Sequence, residues 1–133
     1  MSGVVVDTSA AVAVLTGEPA GAAMIDRLDQ AGHRLISAAS FVELGIVLEA
    51  RFGPVGGAVA ERFTREGGME IVPLDLEQAR MAIEAWRRFG KGHHRARLNF
   101  GDCFTYALAA TNQLPILCLG DDFKHTDIAV AGT

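Results

Sequence analysis

The chain has 133 residues, of which 50% are apolar and 21% are charged, with a formal net charge of −4 at pH 7. This length and composition predict a single domain over residues 1–133, with a core at about 3–131, and they exclude a disordered chain. No apolar run reaches the roughly 20 residues of a bilayer span, and the net charge argues against nucleic-acid binding through global charge.

Short β-branched or apolar runs alternate with helical patterns along the chain. In chain order, the first half predicts a strand at 4–6, helices at 8–15 and 20–31, a strand at 34–37, and helices at 39–52 and 56–66. The second half predicts a strand at 70–73, a helix at 76–89, a loop at 90–99, a helix at 101–111, and strands at 115–119 and 128–130. In helix 20–31, the periodicity directs Ala23, Ile25 and Leu28 inward.

The alternation of strands and helices is typical of a parallel sheet covered by helices on both faces. We therefore predict an α/β fold. The sequence contains no internal repeat, low-complexity segment or linker that would indicate a second domain. In a parallel sheet all carboxyl ends lie at one edge, and ligands bind there near the point where the strand order reverses.

Acidic residues near strand ends and helix starts are the candidates for chemistry. Asp7, Glu43 and Asp121 each follow a predicted strand, so the sheet is expected to bring them to one edge. Asp102 follows no strand directly, and its convergence with the others is an inference. Local structural interpretations also exist: Asp7 has the position of a helix N-cap, and Ser40 with Glu43 has the spacing of a capping box. Asp102 falls in a first helical turn, where the helix dipole favours an acid.

Carboxylates gathered at one edge repel each other and raise one another's pKa unless a cation is present. No basic residue lies close in sequence to Asp7, Glu43 or Asp121, except Lys124. Glu43 also lies in a largely apolar helix, where an unpaired carboxylate is costly. A Mg²⁺ or Mn²⁺ ion accepts hard oxygen ligands, binds phosphate and activates water, so the pattern indicates metal-dependent phosphoryl chemistry without a side-chain nucleophile.

Positive charge is concentrated in one stretch that leads towards Asp102. Its members are Arg87, Arg88, Lys91, Arg95 and Arg97. Arg87 and Arg88 fit the end of a helix, where cations complement the dipole. A loop that contacts phosphate groups beside a metal site would account for all five cations, and the sequence leaves these two interpretations open.

Four segments together carry a resemblance to a known family. They are Val-Asp7-Thr-Ser-Ala, Ala-Ser-Phe-Val-Glu43, Leu-Asn-Phe-Gly-Asp102-Cys-Phe-Thr-Tyr-Ala-Leu-Ala and Leu-Gly-Asp121-Asp122-Phe-Lys-His-Thr-Asp-Ile. In order and spacing, the chain resembles the VapC branch of PIN-domain ribonucleases over essentially its whole length. The resemblance implies the toxin of a type II toxin–antitoxin (VapBC) system, an endoribonuclease that hydrolyses RNA phosphodiester bonds with Mg²⁺ or Mn²⁺. It also implies a homodimer held in check by a cognate VapB-type antitoxin whose tail enters the acidic site.

The resemblance assigns roles to the acidic residues. Asp7 and Asp102 would be the principal metal ligands, and Glu43 would complete the catalytic site directly or through water. The supporting residues would be Thr8, Ser9 and Asn99.

The fourth acid departs from the family pattern. Many PIN domains carry an acid two residues before the Asp-Phe pair, and this chain has Gly120 at that place. Asp121 or Asp122 must then serve. Asp121 is slightly favoured, because Asp122 is also suited to cap the turn ahead of Phe123.

Two other functions stay open on the sequence. A metal-dependent phosphatase or DNA nuclease would use the same acidic edge, although the small size and the lack of an inserted substrate arch favour RNA. A non-catalytic metal- or RNA-binding module would bind without turnover, but a vestigial site has no chemical reason to keep all of its acids.

Cellular location and partner are also addressed by the sequence. Cys103 and Cys118 lack metal-ligand spacing, so we expect buried reduced thiols in a cytoplasmic protein, and the first residues have no features of a signal peptide. Helices 20–31 and 39–52, with Glu49 and Arg51, are expected to frame a groove for an amphipathic antitoxin helix.

Overall fold

Strands and helices alternate along residues 3–132, the part of the chain that the computed structural model describes. The strands are β1 (Gly3–Val6), β2 (His33–Ser37), β3 (Met69–Val72) and β4 (Ile116–Leu117). The helices are α1 (Thr8–Leu15), α2 (Gly21–Gln30), α3 (Ala38–Phe52), α4 (Gly56–Glu66), α5 (Leu76–Phe89) and α6 (Phe100–Asn112). A 3₁₀ turn, Asp122–His125, follows β4.

β1 is central in the sheet, because parallel partners pair with both of its edges. The strand order is β3-β2-β1-β4, and the pairings between these strands are all parallel. Val5 packs in a core formed with α5 and α6, whereas Val4 and Val6 pack in a second core formed with helices α1 to α4. Side chains alternate between the faces of a strand, so β1 joins both layers. The predicted α/β fold, a parallel sheet with helices on both faces, is confirmed.

The strand order opens a crevice at the carboxyl ends of β1 and β4. From β1 the chain passes to β2 and β3 on one side, and it returns to β4 on the other side. Parallel sheets bind ligands at such a point, where the connections diverge. Asp7 directly follows β1, and its backbone N–H donates to the carbonyl oxygen of Leu117 in β4 at 2.9 Å. The first candidate acid therefore lies at the mouth of this crevice.

Two expectations about the periphery are wrong. The predicted strand 128–130 is reduced to a single parallel bridge between Val130 and Ile116 beside β4. In α2 the expected inward residue Leu28 is buried, but Ala23 is exposed and Ile25 is 44% exposed, because this helix packs mainly on α1 at the margin of the fold. Within residues 3–132, no helix has both the length and the apolar character needed to cross a bilayer.

Candidate active site

Asp7 is buried at the end of β1 and accepts hydrogen bonds on both carboxylate oxygens. It caps α1 as expected, because Oδ2 accepts from the backbone N–H of Ser9 at 3.1 Å and from the Ser9 hydroxyl at 2.6 Å. Oδ1 accepts from the Thr105 hydroxyl at 2.6 Å. The Ser9 oxygen also accepts from the Leu119 N–H at 3.0 Å, which ties this acid to the segment after β4. Donors from two separate parts of the chain thus fix the orientation of Asp7, and Leu119 acts on it only through Ser9.

Glu43 lies in the second turn of α3 and is held by residues of two other helices. The Thr8 hydroxyl donates to Oε1 at 2.8 Å. A Cβ atom on Gly101 would lie 2.6 Å from Oε2, so the glycine leaves the room that the carboxylate occupies. The expected capping box between Ser40 and Glu43 is wrong, because α3 begins directly after β2 and its N-cap is Ser37.

Asp102 lies in the first turn of α6 and forms a capping box with Asn99. The Asp102 N–H donates to the Asn99 side-chain oxygen at 2.9 Å, and the Asn99 N–H donates to Asp102 Oδ2 at 3.0 Å. The pKa of Asp102 is raised to about 7. Burial is the largest cause and the carboxylates of Asp7, Asp122 and Glu43 add to it, whereas the hydrogen bond from the Asn99 N–H opposes the shift. This carboxyl group therefore lies within the electrostatic reach of the other candidate acids.

The structure gathers most of the predicted site into one open cleft of about 280 Å³, the acidic cleft. The predicted residues that line it are Asp7, Thr8, Ser9, Glu43, Asn99 and Asp102. Glu18, in the loop between α1 and α2, is a further acid of the lining that sequence reasoning missed, because it follows no strand.

The acidic cleft has the donor chemistry of a hard divalent cation. Among residues 3–132, there is no group of three or more His, Cys, Asp or Glu side chains that could by itself hold a metal ion. Mg²⁺ does not require one, since it usually keeps several waters and binds through one or two carboxylates together with substrate phosphate. The acids offer only oxygen ligands, and the pKa of Asp102 is raised first by burial and then by the neighbouring carboxylates, both of which a cation would offset. The residues present therefore fit such an ion.

Asp121 and Asp122 have different surroundings. The Asp121 carboxylate forms an ion pair with Lys124 at 2.9 Å, and the Lys124 ammonium holds its pKa below the usual value. Its side chain is 74% exposed. Asp122 begins the 3₁₀ turn, and its charge contributes to the raised pKa of Asp102. Of the two acids, Asp122 is the one that the structure brings near the acidic cleft, whereas the sequence slightly favoured Asp121.

The predicted cations divide into two groups. Arg87 and Arg88 lie in the last turn of α5, where Arg87 contacts Glu84 at 3.5 Å and Arg88 pairs with Asp127 at 3.2 Å. The others, Lys91, Arg95 and Arg97, lie in the loop 90–99, the basic loop, and are exposed. No carboxylate among residues 3–132 forms an ion pair with these three side chains. The helix-end interpretation therefore suits the first group, and phosphate contact suits the second.

Both cysteine thiols lie close to the carboxylates. Cys103 and Cys118 are free and buried, as expected. Burial raises the pKa of Cys103 to about 11 and that of Cys118 to about 12, and nearby Asp carboxylates add to both shifts. The thiols stay protonated at neutral pH and are poor nucleophiles, so the chemistry of the cleft falls to the carboxylates.

Sequence comparison relates the whole chain to one family. A family model for the PIN domain matches residues 4–129. Ribonuclease VapC30 of Mycobacterium tuberculosis is 46% identical over 126 residues, which cover 94% of this chain and 95% of that protein. Ribonuclease VapC of Mycolicibacterium smegmatis is 44% identical over 125 residues, which cover 94% and 97% of the two chains.

Solved structures with low sequence identity share the fold. VapC20 of Mycobacterium tuberculosis, described as a Sarcin-Ricin loop cleaving toxin, superposes with a TM-score of 0.77 at 17% identity, over 95% of this chain and 96% of that one. A chain of VapBC2 from Rickettsia felis, solved bound to a DNA fragment from the promoter, gives 0.72 at 11% identity, over 96% of both chains. At these identities the likeness supports the fold alone.

Proposed function

Because the chain belongs to the PIN-domain family and, within it, to the VapC ribonucleases, we propose that it is a metal-dependent endoribonuclease and the toxin of a toxin–antitoxin pair. The observation that carries the proposal is the convergence of Asp7, Glu43 and Asp102 on one cleft at the switch point of the sheet. Each of these carboxylates accepts a hydrogen bond that orients it. A preorganised set of acids is what phosphodiester hydrolysis with a bound cation requires.

In the proposed mechanism, Asp7 and Asp102 hold Mg²⁺, for which Mn²⁺ can substitute, and Glu43 completes the site. Asp122, rather than Asp121, is the fourth acid. When bound there, such an ion would activate a water and stabilise charge on the leaving oxygen. The orienting donors on these acids are Ser9 and Thr105 on Asp7, Thr8 on Glu43, and Asn99 on Asp102.

The exposed cations of the basic loop are proposed to contact RNA phosphates. Lys91 and Arg95 are exposed, and Arg97 carries a positive φ of 57° that belongs to the turn ending at Leu98. Phosphate contacts of this kind position a nucleic acid without reading its sequence. Arg88 is assigned instead to the support of the fold, because both of its terminal nitrogens already have partners, the Tyr106 hydroxyl at 3.3 Å and Asp127 at 3.2 Å.

Cleavage assays with purified protein, freed of any antitoxin, test the proposal. Labelled total RNA and single-stranded DNA are each incubated with Mg²⁺, with Mn²⁺ and with EDTA. We expect fragments of RNA with either metal, none with EDTA, and intact DNA. Asp7→Asn abolishes the fragments, whereas Asp29→Asn, which changes an exposed acid of α2 outside the cleft, keeps them. Cleavage by Asp7→Asn, or in EDTA, would overturn the proposal.

The same assay separates the competing functions. Fragmented DNA would indicate a DNA nuclease, and release of phosphate from monoesters without RNA fragments would indicate a phosphatase. RNA that is retained by the protein but never cut would indicate a binding module. The exposed cations of the basic loop favour this last alternative over the phosphatase, because they suit a polyanion.

We propose that the controlling partner is a VapB-type antitoxin that docks between α3 and α4. The groove there has apolar side chains at its centre, with Val42 58% exposed and Ile46 65% exposed. Glu49 and Glu61 lie at its margin. This surface suits an amphipathic helix with basic flanks. The groove involves α4, whereas the sequence suggested helix 20–31. Co-purification with the antitoxin and its loss in Ile46→Asp test the assignment.

A homodimer is proposed from the family and from a second apolar surface. Ile83, Trp86 and Phe100 are 54%, 46% and 81% exposed, and they line one groove between α5 and α6. Contiguous exposed apolar surface usually marks an interaction site. Light scattering of the wild type and Trp86→Glu measures the mass. We expect a dimer for the first and a monomer for the second.

The RNA substrate and the two free thiols support a cytoplasmic location.

A further inference from the structure

We propose that Thr105 is a positioning residue for the metal site, and that it sets the separation between the carboxylates of Asp7 and Asp102. The inference rests on the proposed function, because it concerns the same acids. Thr105 lies in α6 and is 0% exposed. Its hydroxyl donates to Asp7 Oδ1 at 2.6 Å across 98 residues of chain. Asp102 precedes it in the same helix by three residues, so the two residues share a helix face.

The direction of the hydrogen bonds follows from the chemistry of the groups. The Thr105 oxygen also lies 3.3 Å from the Ser40 hydroxyl, which is 1% exposed. An ionised carboxylate can only accept, so the single proton of Thr105 is donated to Asp7. Ser40 must then donate to Thr105. The hydrogen-bond chain therefore runs from Ser40 through Thr105 to Asp7. Oδ1 of Asp7 is oriented by a hydroxyl that lies in the protein interior.

Ser40 connects this chain to the second acid of the cleft. Its carbonyl oxygen lies 3.3 Å from the Thr8 hydroxyl, which donates to Glu43 at 2.8 Å. The buried hydroxyls of Ser40 and Thr105 and the hydroxyl of Thr8 therefore form one network behind the cleft. Because Thr105 and Asp102 lie in the same helix, a shift of α6 against α3 would move Asp7 together with Asp102 relative to Glu43.

Packing alone does not account for a hydroxyl at position 105. The neighbouring residues of α6 are apolar and buried, including Ala107, Leu108 and Ala109. A valine has nearly the same shape and would fill the place without a polar atom to satisfy. A buried hydroxyl is costly unless it is hydrogen-bonded, and here its strongest partner is the acid at the mouth of the crevice. Partners that orient metal ligands typically contribute about 10-fold to 100-fold in metal affinity or activity.

Three variants test the role. Thr105→Val removes the hydroxyl, Thr105→Ser keeps it, and Thr64→Val is the matched control. Thr64 is a buried helical threonine, 3% exposed, whose hydroxyl bonds only the backbone of α4. Mn²⁺ binding is measured by titration calorimetry, cleavage kinetics at saturating Mn²⁺ give kcat and KM for RNA, and circular dichroism gives Tm.

We expect Thr105→Val to weaken Mn²⁺ binding by at least about 10-fold and to lower kcat, with KM for RNA unchanged. Thr105→Ser restores most of both losses, and Thr64→Val binds Mn²⁺ as the wild type does. If Thr105→Val does not fold, Ser40→Ala, which removes the donor behind Thr105, takes its place and is expected to lose Mn²⁺ affinity in the same direction. Wild-type Mn²⁺ affinity in Thr105→Val, or in Ser40→Ala where it is the variant measured, would overturn the inference, as would an equal loss in Thr64→Val.

Failure of this inference is distinguishable from failure of the proposed function. If Asp7→Asn binds Mn²⁺ and cleaves RNA as the wild type does, the assignment of the whole site is wrong. If Asp7→Asn loses both while Thr105→Val keeps both, only the positioning role of Thr105 is wrong.

Discussion

In the acidic cleft, Asp7, Glu43 and Asp102 each accept a hydrogen bond of 3.0 Å or less from a named donor. In the basic loop, Lys91 and Arg95 extend into solvent, and no carboxylate among residues 3–132 forms an ion pair with either side chain. The carboxylates of the acidic cleft are held in place before any ligand binds. The cations of the basic loop are free to adjust to a flexible ligand. Hydrolysis requires fixed ligands, because small displacements of catalytic groups are costly, whereas contacts to a phosphate backbone tolerate variation.

The largest effect on the oriented carboxylates of the acidic cleft is expected from Asp102→Asn. We expect cleavage to fall by about 10³-fold or more, as when an essential catalytic group is removed. We also expect the metal-free variant to be more stable than the wild type at about pH 8. The neutral amide keeps an oxygen acceptor for the Asn99 N–H, but it carries no charge to be buried or repelled by the nearby carboxylates.

The pH dependence of this stability gain follows from the direction of the shift. The pKa of Asp102 is about 7 in the folded chain, above the value of about 3.9 in an unfolded chain, so the wild type loses stability as pH rises from about 4 to about 7. Tm measured in EDTA should therefore differ more between variant and wild type at about pH 8 than at about pH 5. An equal difference at both pH values would show that Asp102 is not the titrating group.

A smaller loss is expected from Gly101→Ala, which leaves every polar group in place. The new Cβ would lie 2.6 Å from Glu43 Oε2 and would displace that carboxylate. We expect activity to fall by about 10-fold to 100-fold, with no loss of Tm, because alanine favours a helix over glycine.

A double-mutant cycle measures whether this loss passes through Glu43. In the Glu43→Ala background, Gly101→Ala should add little, because the group that it displaces is gone. Additive losses in kcat would contradict a mechanism through Glu43.

Substitutions of the exposed cations in the basic loop are expected to have weaker effects, which depend on salt. Lys91→Ala and Arg95→Ala should each raise KM for RNA several-fold without changing kcat. Each should also make the logarithmic dependence of binding on salt shallower by about 0.7, the value for one phosphate contact with a single strand. Arg62→Ala, which removes an exposed cation of α4 paired with Glu66, is the control and should change neither value. A fall in kcat with an unchanged salt slope would indicate a role in the cleft instead.

The smallest effect is expected from substitution of Arg88. The result distinguishes the cations that support the fold from those proposed to contact RNA. Arg88→Ala removes the pair with Asp127 and the contact with the Tyr106 hydroxyl. Both members of the pair are about half exposed, so the free energy of unfolding in urea should fall by only about 0.5–1 kcal/mol. The salt dependence of RNA binding should not change. A shallower salt slope would return Arg88 to the RNA-binding surface.

The sequence was most informative where a structural cause is local. The N-cap at Asp7 and the place of Asp102 in a first helical turn follow from a few neighbouring residues, and both are confirmed. The parallel sheet and its covered faces follow from the alternation of strands and helices, whereas the strand order does not. The box expected at Ser40 and Glu43 is wrong because α3 begins at Ala38 with Ser37 as its N-cap, and no local signal separates these serines.

What could not be predicted depends on contacts between distant segments. Nothing near Thr105 in the sequence indicates that its hydroxyl reaches an acid 98 residues away. The need for a glycine at position 101 could not be predicted from the sequence either, because it depends on where α3 places the Glu43 carboxylate. The choice between Asp121 and Asp122 depends on the course of the chain after β4, where Lys124 engages one acid and the turn brings the other towards Asp102.

The position of β4 in the sheet has a consequence for the timing of synthesis. β4 pairs with β1, the first strand made, and α6, which supplies Asp102 and Thr105, is separated from β1 by most of the chain. A nascent chain that ends before α6 carries Asp7 and Glu43 but lacks Asp102 and Thr105. If Asp102 is a metal ligand as proposed, partly translated copies would have no complete metal site. The proposed docking surface on α3 and α4 would then be synthesised before the site is complete.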